Sequence, residues 1–138
     1  LTLLKQQDEN PVTGMRVFSP QTARELRAML EMVVSPEGTA PKARVAGYRV
    51  GGKTGTAYKV ESGQYVKKYV ASFVGLAPIS NPRVVVAVMI DEPSGAHYGG
   101  DVAGPAFAQI MGGTLRTLGV PPDALLQVAQ GPAAKEKL

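Results

Sequence analysis

The sequence contains no cysteine and no tryptophan, and only 6% of its 138 residues are aromatic. Without cysteine there is neither a disulfide framework nor a thiolate metal site, and the absence suits an envelope protein as well as a cytosolic one. The single histidine, His97, cannot build a multi-histidine metal centre. No stretch approaches the roughly 20 apolar residues of a membrane span, and no signal-peptide pattern is present. The net charge of +4 comes from basic residues that are scattered, apart from the pair Lys67-Lys68. Without an arginine-rich stripe interleaved with aromatics, the pattern disfavours a nucleic-acid surface.

What is present is globular. Hydrophobic residues make up 44% and charged residues 19% of the chain, values that suit one modest domain. The chain opens on the apolar run Leu1-Thr2-Leu3-Leu4 without an initiator methionine, which reads as a cut through a larger protein. Residues 1–126 read as one structural unit. Residues 127–138, ending Ala-Ala-Lys-Glu-Lys-Leu, read as a loose tail.

Residues 5–18 are polar and turn-rich around Glu9-Asn10-Pro11, with a short strand expected at their end. Ser19-Pro20 then starts a helix, since serine caps well and proline suits the first helical position. Leu26, Met29, Leu30, Val33 and Val34 recur at helical spacing and predict one buried face, and Ser35-Pro36-Glu37-Gly38 stops the helix. A strand is expected over residues 48–58 and a hairpin tip at Ser62-Gly63. A second strand is expected over about 69–77, with Val70, Ser72, Val74 and Leu76 on one face and Ala71, Phe73, Gly75 and Ala77 on the other. The continuous apolar run 84–90 predicts a third strand buried on both faces. Short connections make all three antiparallel. A last helix is expected to start near Gly104-Pro105, bury Phe107, Ile110, Met111, Leu115 and Leu118, and end at Gly119 before Pro121-Pro122. The fold class is therefore α+β, an antiparallel sheet flanked by helices.

The most informative residues are Gly52-Lys53-Thr54-Gly55-Thr56-Ala57. Strand alternation puts the hydroxyls of Thr54 and Thr56 on one face, with Lys53, Gly55 and Ala57 on the other. Two hydroxyl donors, a nearby ammonium and a glycine that leaves the backbone unobstructed make a receptor for a carboxylate. At a cleft edge, the unpaired N–H groups of such a strand can also hold an extended peptide or face a developing oxyanion. The plain alternative is an ordinary edge strand, with threonine for β-propensity and lysine as a guard against aggregation.

A competing pattern overlaps these residues. Gly47-Tyr48-Arg49-Val50-Gly51-Gly52-Lys53-Thr54 satisfies the phosphate-loop expression of nucleotide-binding proteins. A phosphate loop must follow a buried strand and open into a helix. Here the lead-in Pro41-Lys42-Ala43-Arg44-Val45-Ala46 is charged, and the sequel from Gly55 to Gly63 carries no helical stripe. The nucleotide-binding alternative predicts a helix from Lys53; context favours a strand.

Lys53-Thr54-Gly55 is also a signature triplet of the penicillin-recognising serine enzymes. Tyr48 through Ala57, the strand from Ala71 to Pro78 ending Gly-Leu-Ala-Pro, and Ile90-Asp91-Glu92-Pro93 followed by Tyr98-Gly99-Gly100 occur in the family order. Over roughly residues 19–125 the chain resembles the C-terminal third of the transpeptidase domain of class B penicillin-binding proteins, a serine β-lactamase-like fold. Among these it is most similar to the division-specific peptidoglycan D,D-transpeptidases of Gram-negative bacteria. The resemblance implies that Lys53 supplies the site's electrostatics and that Thr54, Gly55 and Thr56 bind the carboxylate of a substrate or β-lactam. It implies that the backbone N–H of Thr56 forms half an oxyanion hole and that the loop with His97 and Tyr98 walls the cleft. Relatives usually carry two adjacent aromatics where this chain has His-Tyr, and no catalytic role is assigned to His97.

The resemblance further implies peptidoglycan stem peptides, β-lactams and septal cell-division proteins as partners, with no metal or cofactor. It implies a place on the periplasmic face of the bacterial inner membrane, through an N-terminal anchor that this chain lacks. One departure limits what the chain can do alone. The family nucleophile sits in Ser-x-x-Lys and its partner in Ser-x-Asn, yet none of Ser19, Ser35, Ser62, Ser72, Ser80 and Ser94 has Lys three or Asn two positions on. The chain is thus expected to carry one wall of an active site without its nucleophile. A non-catalytic penicilloyl sensor or partner-binding module is the alternative of a different class.

Overall fold

The computed structural model describes residues 14–124. Helix α1 (Pro20–Met32) precedes strands β1 (Gly51–Glu61), β2 (Gln64–Ala77) and β3 (Val84–Asp91), and helix α2 (Gly99–Thr117) follows them. The sheet order is β1-β2-β3, antiparallel throughout, as the short connections require. The α+β class stands.

Local chemistry sets several boundaries. Ser19 Oγ accepts the Thr22 amide at 3.0 Å and Pro20 occupies the first turn, so α1 starts where the sequence places it. Ser62 and Gly63 both have positive φ, which suits a tight two-residue hairpin between β1 and β2. At the far end of α2, Gly119 is left-handed, its amide bonds the Arg116 carbonyl, and the Val120 amide bonds the Leu115 carbonyl. That pair of bonds is a Schellman cap, and it buries Val120 beside Leu115.

The core lies between α2 and one face of the sheet. Phe73 of β2 meets Phe107 of α2 edge-to-face, with ring centroids 4.7 Å apart, and Met111 and Leu115 complete the layer with no exposure. Strand alternation holds as expected: Ala71, Phe73, Gly75 and Ala77 are buried under α2, while Val70, Ser72, Val74 and Leu76 are not. Helix α1 lies over the opposite face, where it packs against β1.

Five expectations need correction. No strand forms at residues 14–18; the rest of that loop, and the tail from 127, lie outside the described residues. The apolar stripe of α1 is largely uncovered: Leu26 and Met29 are exposed, Leu30 and Val33 half-buried, and only Val34 is buried. In β3 only Val88 is buried, and Val85 and Met89 are 68% and 72% exposed on the face away from α2. In both places apolar spacing records which face seeks cover, while the cover itself is a tertiary matter. Helix α2 begins at Gly99, with Pro105 inside it. Proline is costly there because it lacks an amide, but Gly99 and Gly100 pack so tightly on neighbouring carbonyls that the first turn forms upstream. Ile110 of α2 is exposed, being off the face that Phe107 and Met111 define, and Leu118 is exposed as the C-cap just past the last residue of the helix.

Strand boundaries shift as well. β1 starts at Gly51, leaving Tyr48 and Val50 buried ahead of it, and β2 starts at Gln64. A bulge lies between the pairs Tyr58↔Tyr69 and Lys59↔Val66, so Lys67 and Lys68 are the extra residues on β2.

Candidate substrate-carboxylate site

β1 is an edge strand, paired only with β2 among the described residues. The Gly55 carbonyl lies toward β2, where Ser72 Oγ donates to it at 3.5 Å. Period-two alternation therefore turns the backbone groups of Thr54 and Thr56 to the unpaired edge. The Lys53 ammonium donates to the Thr54 carbonyl at 2.9 Å, which sets the charge along that same edge. A helix from Lys53 is absent; a strand stands in its place, and the phosphate-loop alternative fails on the context it required.

The side chains of Thr54 and Thr56 share one face, as expected. With Tyr98 they line a pocket of about 320 Å³ that also includes Thr39, Gly99, Gly100 and Asp101. The N-terminus of α2 points into it. The Gly99 amide donates to Thr56 Oγ1 at 3.3 Å, and the partial positive charge of a helix N-terminus favours an anion there. Thr39 Oγ1 lies 3.4 Å from Thr54 Oγ1. Asp101 would oppose an anion, but Lys42 holds it at 2.8 Å.

Of the sequence-predicted site residues, Thr54, Thr56 and Tyr98 come together in this pocket, with Gly55 between the two hydroxyl positions. Lys53 does not line it; its side chain leaves the strand on the other face and returns along the edge. His97 does not line it either. It stacks on Tyr69 at 4.1 Å and leans against Tyr98 at 4.5 Å, so it serves as backing for the aromatic wall. Sequence reasoning missed Thr39, Lys42 and Asp101 because they meet the motif only through the fold.

The loop that carries Tyr98 is pinned at its start. Lys59 of β1 donates to Asp91 at 3.0 Å and to Glu92 at 2.8 Å. The bond from Lys59 holds the Glu92 carboxyl below its ordinary pKa, and the bonds to Glu92 and Asp91 raise that of Lys59. At the strand entry, the Arg49 guanidinium binds Glu31 of α1 through two bonds of 2.7 and 2.6 Å, which raises the Arg49 pKa. Among the described residues no cluster of histidine, cysteine or carboxylate side chains could hold a metal, and no helix is long and apolar enough to cross a membrane.

Comparison with known proteins bears directly on this geometry. The family model described as the penicillin binding protein transpeptidase domain matches residues 2–112. The chain belongs to the penicillin-binding protein transpeptidase family. It is 51% identical over 118 residues to the probable peptidoglycan D,D-transpeptidase PenA of Neisseria gonorrhoeae, and 48% identical over 117 residues to the peptidoglycan D,D-transpeptidase FtsI of Escherichia coli K12. These alignments cover 84% and 83% of this chain and 20% of each relative, so the chain spans a fifth of the curated relatives' length. Among solved structures, the apo transpeptidase domain of Burkholderia pseudomallei penicillin-binding protein 3 is 63% identical. It superposes with a TM-score of 0.78, covering 88% of this chain and 37% of that one. The pocket lined by Thr54, Thr56 and Tyr98 and the open edge of β1 thus belong to a transpeptidase-family chain.

Proposed function

We propose that this chain is the carboxylate-binding wall of a serine peptidoglycan D,D-transpeptidase. The supporting observation is that the hydroxyls of Thr54 and Thr56, the start of α2 and Tyr98 converge on one pocket beside the unpaired edge of β1. In the whole protein a serine outside this chain attacks the D-Ala-D-Ala carbonyl of a stem peptide, expels the terminal D-alanine and forms an acyl-enzyme. The amine of a neighbouring stem peptide then takes the acyl group, closing a cross-link. Thr54 and Thr56 bind the terminal carboxylate, the Thr56 N–H on the open edge faces the oxyanion, and Lys53 supplies positive charge to that edge. A β-lactam enters the same site through its own carboxylate. The reaction takes place on the periplasmic face of the inner membrane, where a membrane anchor outside this chain and septal division proteins hold the enzyme.

The test is acylation by a fluorescent penicillin. The 138-residue chain forms no covalent adduct, and the full-length protein does. In the full-length protein Lys53→Ala slows second-order acylation about 10- to 150-fold, the worth of one charge-assisted hydrogen bond made in the transition state. Thr54→Val costs less, because a neutral donor goes and the charge stays. Wild-type acylation by a folded Lys53→Ala protein reduces the motif to an ordinary edge strand.

A further inference from the structure

A hydroxyl group has one proton to donate and two lone pairs to accept with. A threonine can aim its proton at an anion most firmly when another donor already occupies a lone pair. Thr56 meets this condition: its oxygen accepts the Gly99 amide, and its proton is left for the pocket. The Thr54 oxygen has a different neighbour, the hydroxyl of Thr39 at 3.4 Å.

We propose that Thr39 is a positioning residue of the carboxylate site, donating to Thr54 so that the Thr54 proton points at the substrate. This rests on the reading of the pocket as a carboxylate receptor. Between two hydroxyls either can donate, and the ligand decides which does. A carboxylate only accepts, so once it is bound Thr54 must donate to it, and the bond between the threonines must run from Thr39 to Thr54. The separation exceeds the roughly 2.5–3.0 Å usual for hydroxyl donors, as is common for catalytic contacts that tighten on binding.

The backbone around Thr39 is built to hold this hydroxyl in place. The Ala40 amide donates to Val33 O at 2.9 Å, at the end of α1, and the Ala43 amide donates to Ala40 O at 3.0 Å. Ala40 has no exposure. The Thr39 carbonyl lies so close to Gly100 of α2 that a side chain there would collide with it. Three residues on, Lys42 neutralises Asp101 in the same pocket wall. One short segment thus supplies the proton that orients Thr54 and the charge that quiets the carboxylate.

The experiment uses the full-length protein and one penicillin in two forms, free carboxylate and methyl ester, and measures second-order acylation for each. Thr39→Val slows acylation by the carboxylate form roughly two- to tenfold, the worth of a neutral hydrogen bond, and slows the ester form less, because the neutral ester oxygen is the weaker acceptor for the Thr54 proton. Thr39→Ser, which keeps the hydroxyl, restores the carboxylate rate. Adding Thr39→Val to Thr54→Val produces no further loss, because the first residue acts through the second. Equal losses on acid and ester overturn the proposal by marking Thr39 as merely structural. A Thr39→Val protein at wild-type rate, with Thr54→Val slowed, overturns it while leaving the carboxylate receptor standing. A Thr54→Val protein at wild-type rate overturns both.

Discussion

The amide of Gly99, the first residue of α2, donates to the hydroxyl of Thr56 at 3.3 Å across 43 positions of sequence. The approach is possible only because Gly99 lacks a side chain: a Cβ there would collide with the carbonyl oxygens of Ser72 and Gly55. Both are backbone atoms of the paired strands and cannot swing away. Gly99→Ala is therefore expected to push α2 off β1, destabilise the fold by about 1–3 kcal/mol and slow penicillin acylation of the full-length protein. Thermal melting and acylation rates, measured on the same preparation, check it. An unchanged melt with unchanged acylation would mean that the helix start is looser than the geometry describes.

Asp101, in the wall of the pocket that Thr54 and Thr56 line, forms an ion pair with Lys42, and the proposed function makes that pocket a carboxylate receptor. Lys42→Met leaves Asp101 unpaired opposite an incoming anion and should slow acylation by an anionic penicillin about two- to fivefold, in line with a solvent-exposed pair. The loss should shrink as salt rises, since screening weakens the repulsion. Asp101→Asn on the Lys42→Met background should recover most of the rate. A loss that persists at high salt and resists this second change points to packing instead.

Stability against acid should depend on Glu92. Its pKa is held below the ordinary 4.5 by the bond from Lys59, so its contribution is fully present above about 4.5 and is lost as pH falls through the lower folded value. The difference in melting temperature between wild type and Glu92→Gln should be open at pH 6 and close at strongly acid pH. The raised pKa of Lys59 acts at the other end: its contribution is present below 10.5 and is lost as pH rises through the folded value. A melting difference independent of pH would show that the pair contributes nothing through charge.

Phe107 has no exposure and meets Phe73 edge-to-face. Phe107→Ala should cost about 3–5 kcal/mol through lost burial and the cavity left beneath the sheet. Phe107→Leu should cost less, since most of the volume remains. Denaturant unfolding measures both; a cost below about 1 kcal/mol for the alanine variant would place the core elsewhere.

Much of the fold was legible wherever a few neighbouring residues decide the backbone. Ser19-Pro20 started α1, Ser62-Gly63 turned the hairpin, and Gly119 ended α2, because capping and turn geometry are local. The shared face of Thr54 and Thr56 followed from strand alternation alone. The start of α2 was misread because Pro105 is a local signal for a first turn, while the true start is set by Gly99 and Gly100 meeting carbonyls far away in sequence. The uncovered faces of α1 and β3 were misread for a related reason. Apolar patterning shows what would gain from burial, and only the assembled chain shows what lies against it.

The site divides along the same line. By itself the sequence determined the strand with its Lys-Thr-Gly-Thr string, the shared face of the two threonines and the family resemblance, all written in contiguous residues. Only the tertiary structure decided that the α2 N-terminus meets Thr56, that Thr39 stands behind Thr54, that Lys42 silences Asp101 and that His97 backs Tyr98 from Tyr69. The physical reason is reach. A hydrogen bond or ion pair acts over about 3 Å, so its partners are fixed by where the chain folds back, and residue spacing carries no record of that return.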